Sequence, residues 1–183
     1  DTEVLVEEAI QILKSEMPDS DVLDLCTGSG CIGISIHSFC PDTKVTGADI
    51  SEEALQVAKH NALQNQVSVN FVHSDLFSGI SGKFDMIVSN PPYIPSKVID
   101  TLMPEVRDHE PVGALDGKED GLYFYRKITE ESVAHLNDGG YLLYEIGYDQ
   151  AEAVSGFMKE HGFNDIKVIR DLAGLDRVVR GRR

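Results

Sequence analysis

Short apolar runs alternating with amphipathic stretches set the tightest limit on what this chain of 183 residues can fold into. Residues 21–26, 44–49, 67–72, 84–89 and 140–146 have the length and β-branched content of buried strands. Apolar residues recur at helical spacing over 2–17, where Pro18 closes the segment, and again over 32–39, 51–63, 121–136 and 150–161. Ser51 is placed to cap its helix, with Glu52 and Glu53 in the first turn. A helix between two strands returns the chain to its starting edge, so the strands pair in parallel. The closing runs 165–170 and 175–180 are joined through Ala173-Gly174 with no helix between them, so that pair is antiparallel. The expected class is α/β: one domain built on a doubly wound, seven-stranded, mainly parallel sheet with an antiparallel final strand.

Open sheets of this kind bind ligands beyond the carboxyl ends of their strands, and the residues there carry the chemistry. After the first strand come Cys26, Thr27, Gly28, Ser29 and Gly30, then a helix. Small residues let a ligand approach the backbone, and the helix start offers free N–H groups. The run is not G-x-G-x-x-G, and a tight structural turn is the alternative. Asp49 ends the second strand about twenty residues further on, where a carboxylate can accept both hydroxyls of a ribose; otherwise it is an acidic helix-start residue. Asp75 and Leu76 follow the third strand, where an acid can receive an adenine amine beside an apolar neighbour; the alternative is an Asx turn.

The fourth strand runs into Asn90-Pro91-Pro92-Tyr93. Each proline pushes the residue before it out of the helical region, so the turn is stiff. It offers the Asn90 side-chain amide, the Pro91 carbonyl and the Tyr93 ring. Two acceptors beside an aromatic face suit a planar NH2 group, either an amide or the exocyclic amine of a base. A strand ending in a proline turn is the plain alternative. Residues 94–120 form a long irregular stretch, and loops of that length in compact domains are usually functional.

Sixteen basic against thirty-one acidic side chains give a formal charge of −15, a surface that repels phosphate backbones. Direct nucleic-acid binding is therefore not expected; a small molecule or a protein partner fits better. Arg177, Arg180, Arg182 and Arg183 form the one basic cluster and read as a solvated terminus. No run has membrane-spanning length and no signal peptide is visible. Cys26, Cys31 and Cys40 match no common zinc spacing and suit reduced thiols in a cytoplasmic protein. No metal site is expected, and no histidine is assigned a catalytic role. The chain opens on Asp1 without a methionine, which suggests a fragment.

Taken together, these stretches resemble the class I S-adenosylmethionine-dependent methyltransferases and, within them, the release factor glutamine methyltransferase family. The resemblance runs through Asp1-Thr2-Glu3, residues 24–30, Asp49, Ser74-Asp75, residues 88–94, Glu110-Pro111, Ala114-Leu115, Asp120-Gly121-Leu122, Glu145-Ile146-Gly147 with Gln150, and residues 171–179, nearly the whole chain. The Asn-Pro-Pro-Tyr run is shared with adenine and guanine N-methyltransferases; the Glu110-Pro111 and Glu145-Ile146-Gly147 stretches are more discriminating. Cys26 stands where glycine is common, and Leu76 where an aromatic can occur.

The resemblance implies a Rossmann-like catalytic domain over residues 1–183, without the family's N-terminal helical domain that helps hold the substrate. It implies S-adenosyl-L-methionine held by Cys26, Thr27, Gly28, Ser29, Gly30, Asp49, Asp75, Leu76 and Asn90. It further implies a methyl acceptor in class I peptide chain release factors, the glutamine of a Gly-Gly-Gln loop, gripped by Asn90, Pro91, Pro92 and Tyr93. Asn90, Pro91 and Tyr93 would be the catalytic groups. The rival reading is methyl transfer to an adenine or guanine exocyclic amine of nucleic acid. A cofactor-binding regulatory module and a nicotinamide dehydrogenase are further alternatives, the latter lacking an acid–base pair beside the glycine loop. Glu105, Arg107, Glu110 and Glu145 either line the glutamine pocket or pin the long loop.

Overall fold

The computed structural model describes residues 2–99 and 115–183. The chain runs α1 (Thr2–Glu16), β1 (Asp21–Leu25), α2 (Cys31–Phe39), β2 (Lys44–Asp49), α3 (Glu52–Gln64), β3 (Val69–His73) and β4 (Phe84–Ser89). It continues through α4 (Ser96–Ile99), α5 (Tyr123–His135), β5 (Leu136–Glu145), α6 (Ala151–Glu160), β6 (Asn164–Arg170) and β7 (Asp176–Arg182).

The seven strands form one sheet in the order β3-β2-β1-β4-β5-β7-β6. Strands β1 to β5 pair in parallel, and β7 inserts between β5 and β6, antiparallel to both. The chain winds outward from β1 through β2 to β3, then crosses to β4 on the other side of β1. That reversal opens the crevice between the ends of β1 and β4, where Leu25 pairs with Ser89.

Several boundaries differ from the sequence pattern for local reasons. Cys26 takes a left-handed φ of 58°, which ends β1 at Leu25 rather than one residue later. Beyond α3, Gln66 is left-handed and Val67 N–H returns to the Ala62 carbonyl at 3.1 Å, so β3 begins only at Val69. Strand β5 starts at Leu136 rather than at Gly140, and the preceding helix ends at His135, because the β4–β5 pairing continues back to Phe84 and Leu136 through an irregularity. Ser51 caps α3 as its position implies, accepting Ala54 N–H at 3.1 Å.

Both faces of the sheet are covered, which is why its strands are apolar runs rather than alternating ones. On one face Leu23, Ile87, Leu142 and Tyr144 pack with Tyr125 and Ile128 of α5 and Val154 and Met158 of α6. On the other, Val22, Met86, Val88 and Leu143 pack with Leu5, Ala9 and Leu13 of α1 and Ile36 of α2. The arginine cluster is a solvated terminus only in part: Arg182 and Arg183 are exposed, but Arg177 and Arg180 are only 7% and 8% exposed. Arg177 pairs with Asp171 at 3.0 Å, and Arg180 pairs with Glu8 of α1 at 2.6 Å while lying over the Tyr141 ring. Both belong to the packing of β7. Within the long irregular stretch, Ile94 bridges Asp116 in parallel and α4 follows. Residues 100–114 lie outside the described ones, and with them Glu105, Arg107, Glu110, Pro111 and Ala114.

Candidate active site

The loop after β1 is organised by Asp24, a residue at which the sequence pattern shows only a strand. Its Oδ2 accepts the Thr27 hydroxyl at 2.6 Å and the Gly33 N–H at 2.9 Å, stapling the loop to α2. A Cβ at Gly33 would stand 3.1 Å from that oxygen, so the third small residue is needed for this staple rather than for a ligand. Gly30 and Gly28 are both left-handed, and Cys26 shares that conformation, which is the reason glycine suits its position. A Cβ added at Gly28 would meet nothing within 4 Å: the loop's backbone is open there. Ser29 is fixed from behind, its carbonyl accepting Asn61 Nδ2 at 2.9 Å.

Asp49 ends β2 facing this loop. Its Oδ2 accepts Gly28 N–H at 2.8 Å and its Oδ1 accepts Ser51 N–H at 2.9 Å. The helix-start role and the site role are thus compatible, because each carboxylate oxygen keeps a second lone pair. The Asp49 carbonyl also accepts Ser74 N–H at 2.9 Å, which brings the loop after β3 alongside. That loop is held by Ser74, whose hydroxyl donates to the Leu76 carbonyl at 2.6 Å and accepts Gly79 N–H at 2.8 Å. Leu76 is left-handed and half-buried. Asp75 is exposed at the rim of a cavity shared with Leu76, Phe77, Tyr123 and His135. No Asx turn on Asp75 holds the loop.

The Asn90-Pro91-Pro92-Tyr93 turn lies across the crevice from the glycine loop, tied to it where the Ser89 hydroxyl donates to the Leu25 carbonyl at 2.8 Å. Pro91 and Pro92 are buried, and Asn90 and Tyr93 are half-buried. Asn90 Nδ2 donates to Thr2 Oγ1 of α1 at 3.5 Å. The turn is gripped from the far side by Gln150, at the start of α6. Its Nε2 donates to the Tyr93 carbonyl at 3.0 Å and the Gly121 carbonyl at 3.3 Å, and its Oε1 accepts Gly147 N–H at 2.9 Å. Gly121 is left-handed, and a Cβ there would run into the Tyr93 carbonyl. Gln150 and Gly121 were legible only as parts of the resemblance; their separation from Tyr93 in sequence hides the grip.

Asp24, Asp49 and the Cys26 thiol share the glycine-loop end of the crevice. Burial raises Asp24 from 3.8 to about 7, against the Thr27 and Gly33 hydrogen bonds that lower it, and the charge of Asp49 adds to the rise. Its Oδ1 is buried with no hydrogen-bond partner among the described residues. Burial, then the charge of Asp49, pushes the Cys26 thiol up to about 12, so it is neutral and no competing nucleophile at physiological pH. The Asp24 rise has a signed consequence. Below about pH 4 both folded and unfolded chains hold the proton; between there and about pH 7 only the folded chain does, and stability falls as pH rises. Asp24→Asn removes this loss and places an N–H at the Oδ1 position. In urea unfolding, the variant is expected to match the parent near pH 4 and to exceed it by up to about 4 kcal/mol above pH 7, at about 1.4 kcal/mol per pKa unit. A stability difference that does not grow with pH would contradict this.

Among the described residues no group of His, Cys, Asp and Glu is arranged to hold a metal ion, and no helix is long and apolar enough to cross a membrane. The three cysteines are free thiols.

Comparison with known proteins follows the same lines. Residues 2–105 match the family model described as Methyltransferase small domain. The release factor glutamine methyltransferase of Fusobacterium nucleatum is 42% identical over 182 residues, covering 98% of this chain and 51% of that protein. That of Geobacter sulfurreducens is 44% identical over 183 residues, covering 100% and 63%. Among solved structures, the release factor-specific protein-(glutamine-N5) methyltransferase of Alicyclobacillus acidocaldarius superposes with a TM-score of 0.60 at 31% identity, covering 100% of this chain and 91% of that one. The chain spans about half to two thirds of the length of these two curated relatives. A site assembled at the switch point of a seven-stranded sheet, with these likenesses across the whole chain, places it: the chain belongs to the release factor glutamine methyltransferase family.

Proposed function

We propose that this domain binds S-adenosyl-L-methionine along the carboxyl edge of β1, β2 and β3. There it transfers the methyl group to the side-chain amide nitrogen of the glutamine in the Gly-Gly-Gln loop of class I release factors. The observation that carries the reading is that Asn90 leaves β4 one residue after Ser89, which pairs with Leu25, while the glycine loop with its open backbone at Gly28 leaves β1 beside it. The names of the relatives, glutamine methyltransferases of release factors, favour an amide over a nucleobase as acceptor.

The residues present fit the cofactor. Asp49 retains lone pairs for ribose hydroxyls, Asp75 and Leu76 stand where adenine would lie, and Asp24 Oδ1 is a buried oxygen in need of a positive or N–H partner. Cys26, Thr27, Gly28, Ser29 and Gly30 provide the close backbone approach, and Asn90 borders it from β4. When bound, the cofactor supplies an electrophilic methyl on a sulfonium.

An amide nitrogen is a poor nucleophile because its lone pair is delocalised into the carbonyl. The useful work is to hold it in line and to stabilise the positive charge it acquires. Asn90 Oδ1 and the Pro91 carbonyl each accept one N–H of the acceptor amide. Pro92 stiffens the turn, and the Tyr93 ring covers the planar amide and faces the cationic centre. No general base is required in contact, since the proton leaves after transfer. A net charge of −15 opposes the rival nucleic-acid substrate.

Intact-mass and tryptic-peptide analysis of a purified release factor, incubated with this chain and the cofactor, tests the reading. One added methyl on the Gly-Gly-Gln peptide is the expected result. No added mass on the protein, with methylation of an oligonucleotide instead, would replace it with the nucleobase reading.

A further inference from the structure

Among the described residues Glu145 is, with Asp24, a carboxylate that has a buried oxygen without a hydrogen-bond partner. It is 3% exposed, and its Oε2 has no hydrogen-bond partner among the described residues. Leaving a buried carboxylate uncompensated lowers stability, so its presence at the carboxyl edge calls for a reason. Its direction follows from the strand. Tyr141 and Leu143 pack beneath α1 and α2, while Leu142 and Tyr144 pack on the opposite face, so Glu145 projects to the α1–α2 side. Asn90 occupies the neighbouring position, because Ser89 before it pairs with Tyr144 before Glu145. Asn90 turns to the same side, where its amide faces Thr2 of α1. The charge is felt across that space: the Cys31 thiol at the head of α2 is raised by burial first, then by Asp24, with Glu145 adding to it.

We propose that Glu145 is a positioning residue for methyl transfer, whose unpaired carboxylate sets a negative field behind Asn90 that favours positive charge on the acceptor nitrogen. The inference rests on the methyltransferase reading above. As the C–N bond forms and the methyl–sulfur bond breaks, the bonding electron pair leaves with sulfur and the nitrogen becomes positive; it then sheds one N–H proton to solvent. A fixed negative group nearby helps only while that charge develops, so it acts on turnover rather than on binding.

Glu145→Gln, which keeps the shape and removes the charge, is the test. The expected result is a fall in kcat of about 10- to 100-fold, with KM for the release factor and the calorimetric affinity for S-adenosylmethionine changed by less than about threefold. The thermal midpoint is expected to hold or rise, since an uncompensated buried charge is gone. Glu145→Asp, which keeps the charge, is expected to recover part of the lost rate. Parent-level turnover in Glu145→Gln overturns the inference, as does a lowered midpoint with weakened cofactor binding, which marks a structural role. A parent chain that transfers no methyl overturns the preceding reading and this one with it.

Discussion

Asn90→Ala is expected to abolish most methyl transfer while leaving S-adenosylmethionine affinity within about threefold of the parent. The asymmetry follows from where Asn90 sits. The cofactor contacts proposed here come mainly from Asp49, Asp75, Leu76 and the backbone of residues 26–30, on the far side of the crevice. In the proposed arrangement the Asn90 side chain serves the acceptor instead, Oδ1 receiving its N–H while Nδ2 donates to Thr2. That acceptor is preorganised by two following prolines, so its loss is not made up by rearrangement. Removing one preorganised polar group from a reacting centre typically costs about 10²- to 10³-fold in turnover. Single-turnover methylation of a release factor, read beside calorimetric titration of the cofactor, separates the two effects. Parent-rate transfer in the variant would remove Asn90 from the mechanism.

Gly121→Ala is expected to be among the most damaging single-methyl additions to this chain. Two independent penalties coincide. The residue sits at φ 75°, a conformation that costs an L-residue about 1–2 kcal/mol. The added Cβ would also collide with the Tyr93 carbonyl and crowd Gln150 Nε2, the very pair whose hydrogen bond holds the acceptor turn. Backbone cannot yield as a flexible side chain does, so the Gln150–Tyr93 bond is displaced. A loss of about 2–3 kcal/mol is expected, lowering the thermal midpoint by about 5–10 °C in a domain of this size. Because Tyr93 moves with its carbonyl, turnover is expected to fall at temperatures where the variant remains folded. Gly156→Ala is the matched control: it sits in α6 with nothing within 4 Å of its added Cβ, and is expected to be neutral or slightly stabilising. Equal effects of the two changes would argue against the clash.

The strand-and-helix alternation and the residues at strand ends were legible because they are local. Period, capping at Ser51, the stiffness before Pro91 and Pro92, and small residues after β1 depend only on near neighbours. What misled was also local. Residues 137–139 fall between the expected helix and strand yet lie within β5, because pairing with β4 tolerates an irregularity there. Arg177 and Arg180 read as a charged end, yet both are buried, Arg177 against Asp171 at the turn before β7 and Arg180 against Glu8 of α1.

The sequence by itself determined the class of fold, the glycine loop, Asp49 and the proline turn, since each is written in contiguous residues. Only the tertiary structure decided what these residues do to one another. It set β4 beside β1, so that Asn90 and the glycine loop leave adjacent strand ends at the point where the winding reverses. It made Asp24 the staple of the loop and Gln150 and Gly121 the clasp on Tyr93, and it left Glu145 Oε2 buried without a partner beside Asn90. Apart from the Asp24 staple, whose partners lie 3 and 9 positions away, these relations join residues tens of positions apart and exist only once packing has fixed which strand lies next to which.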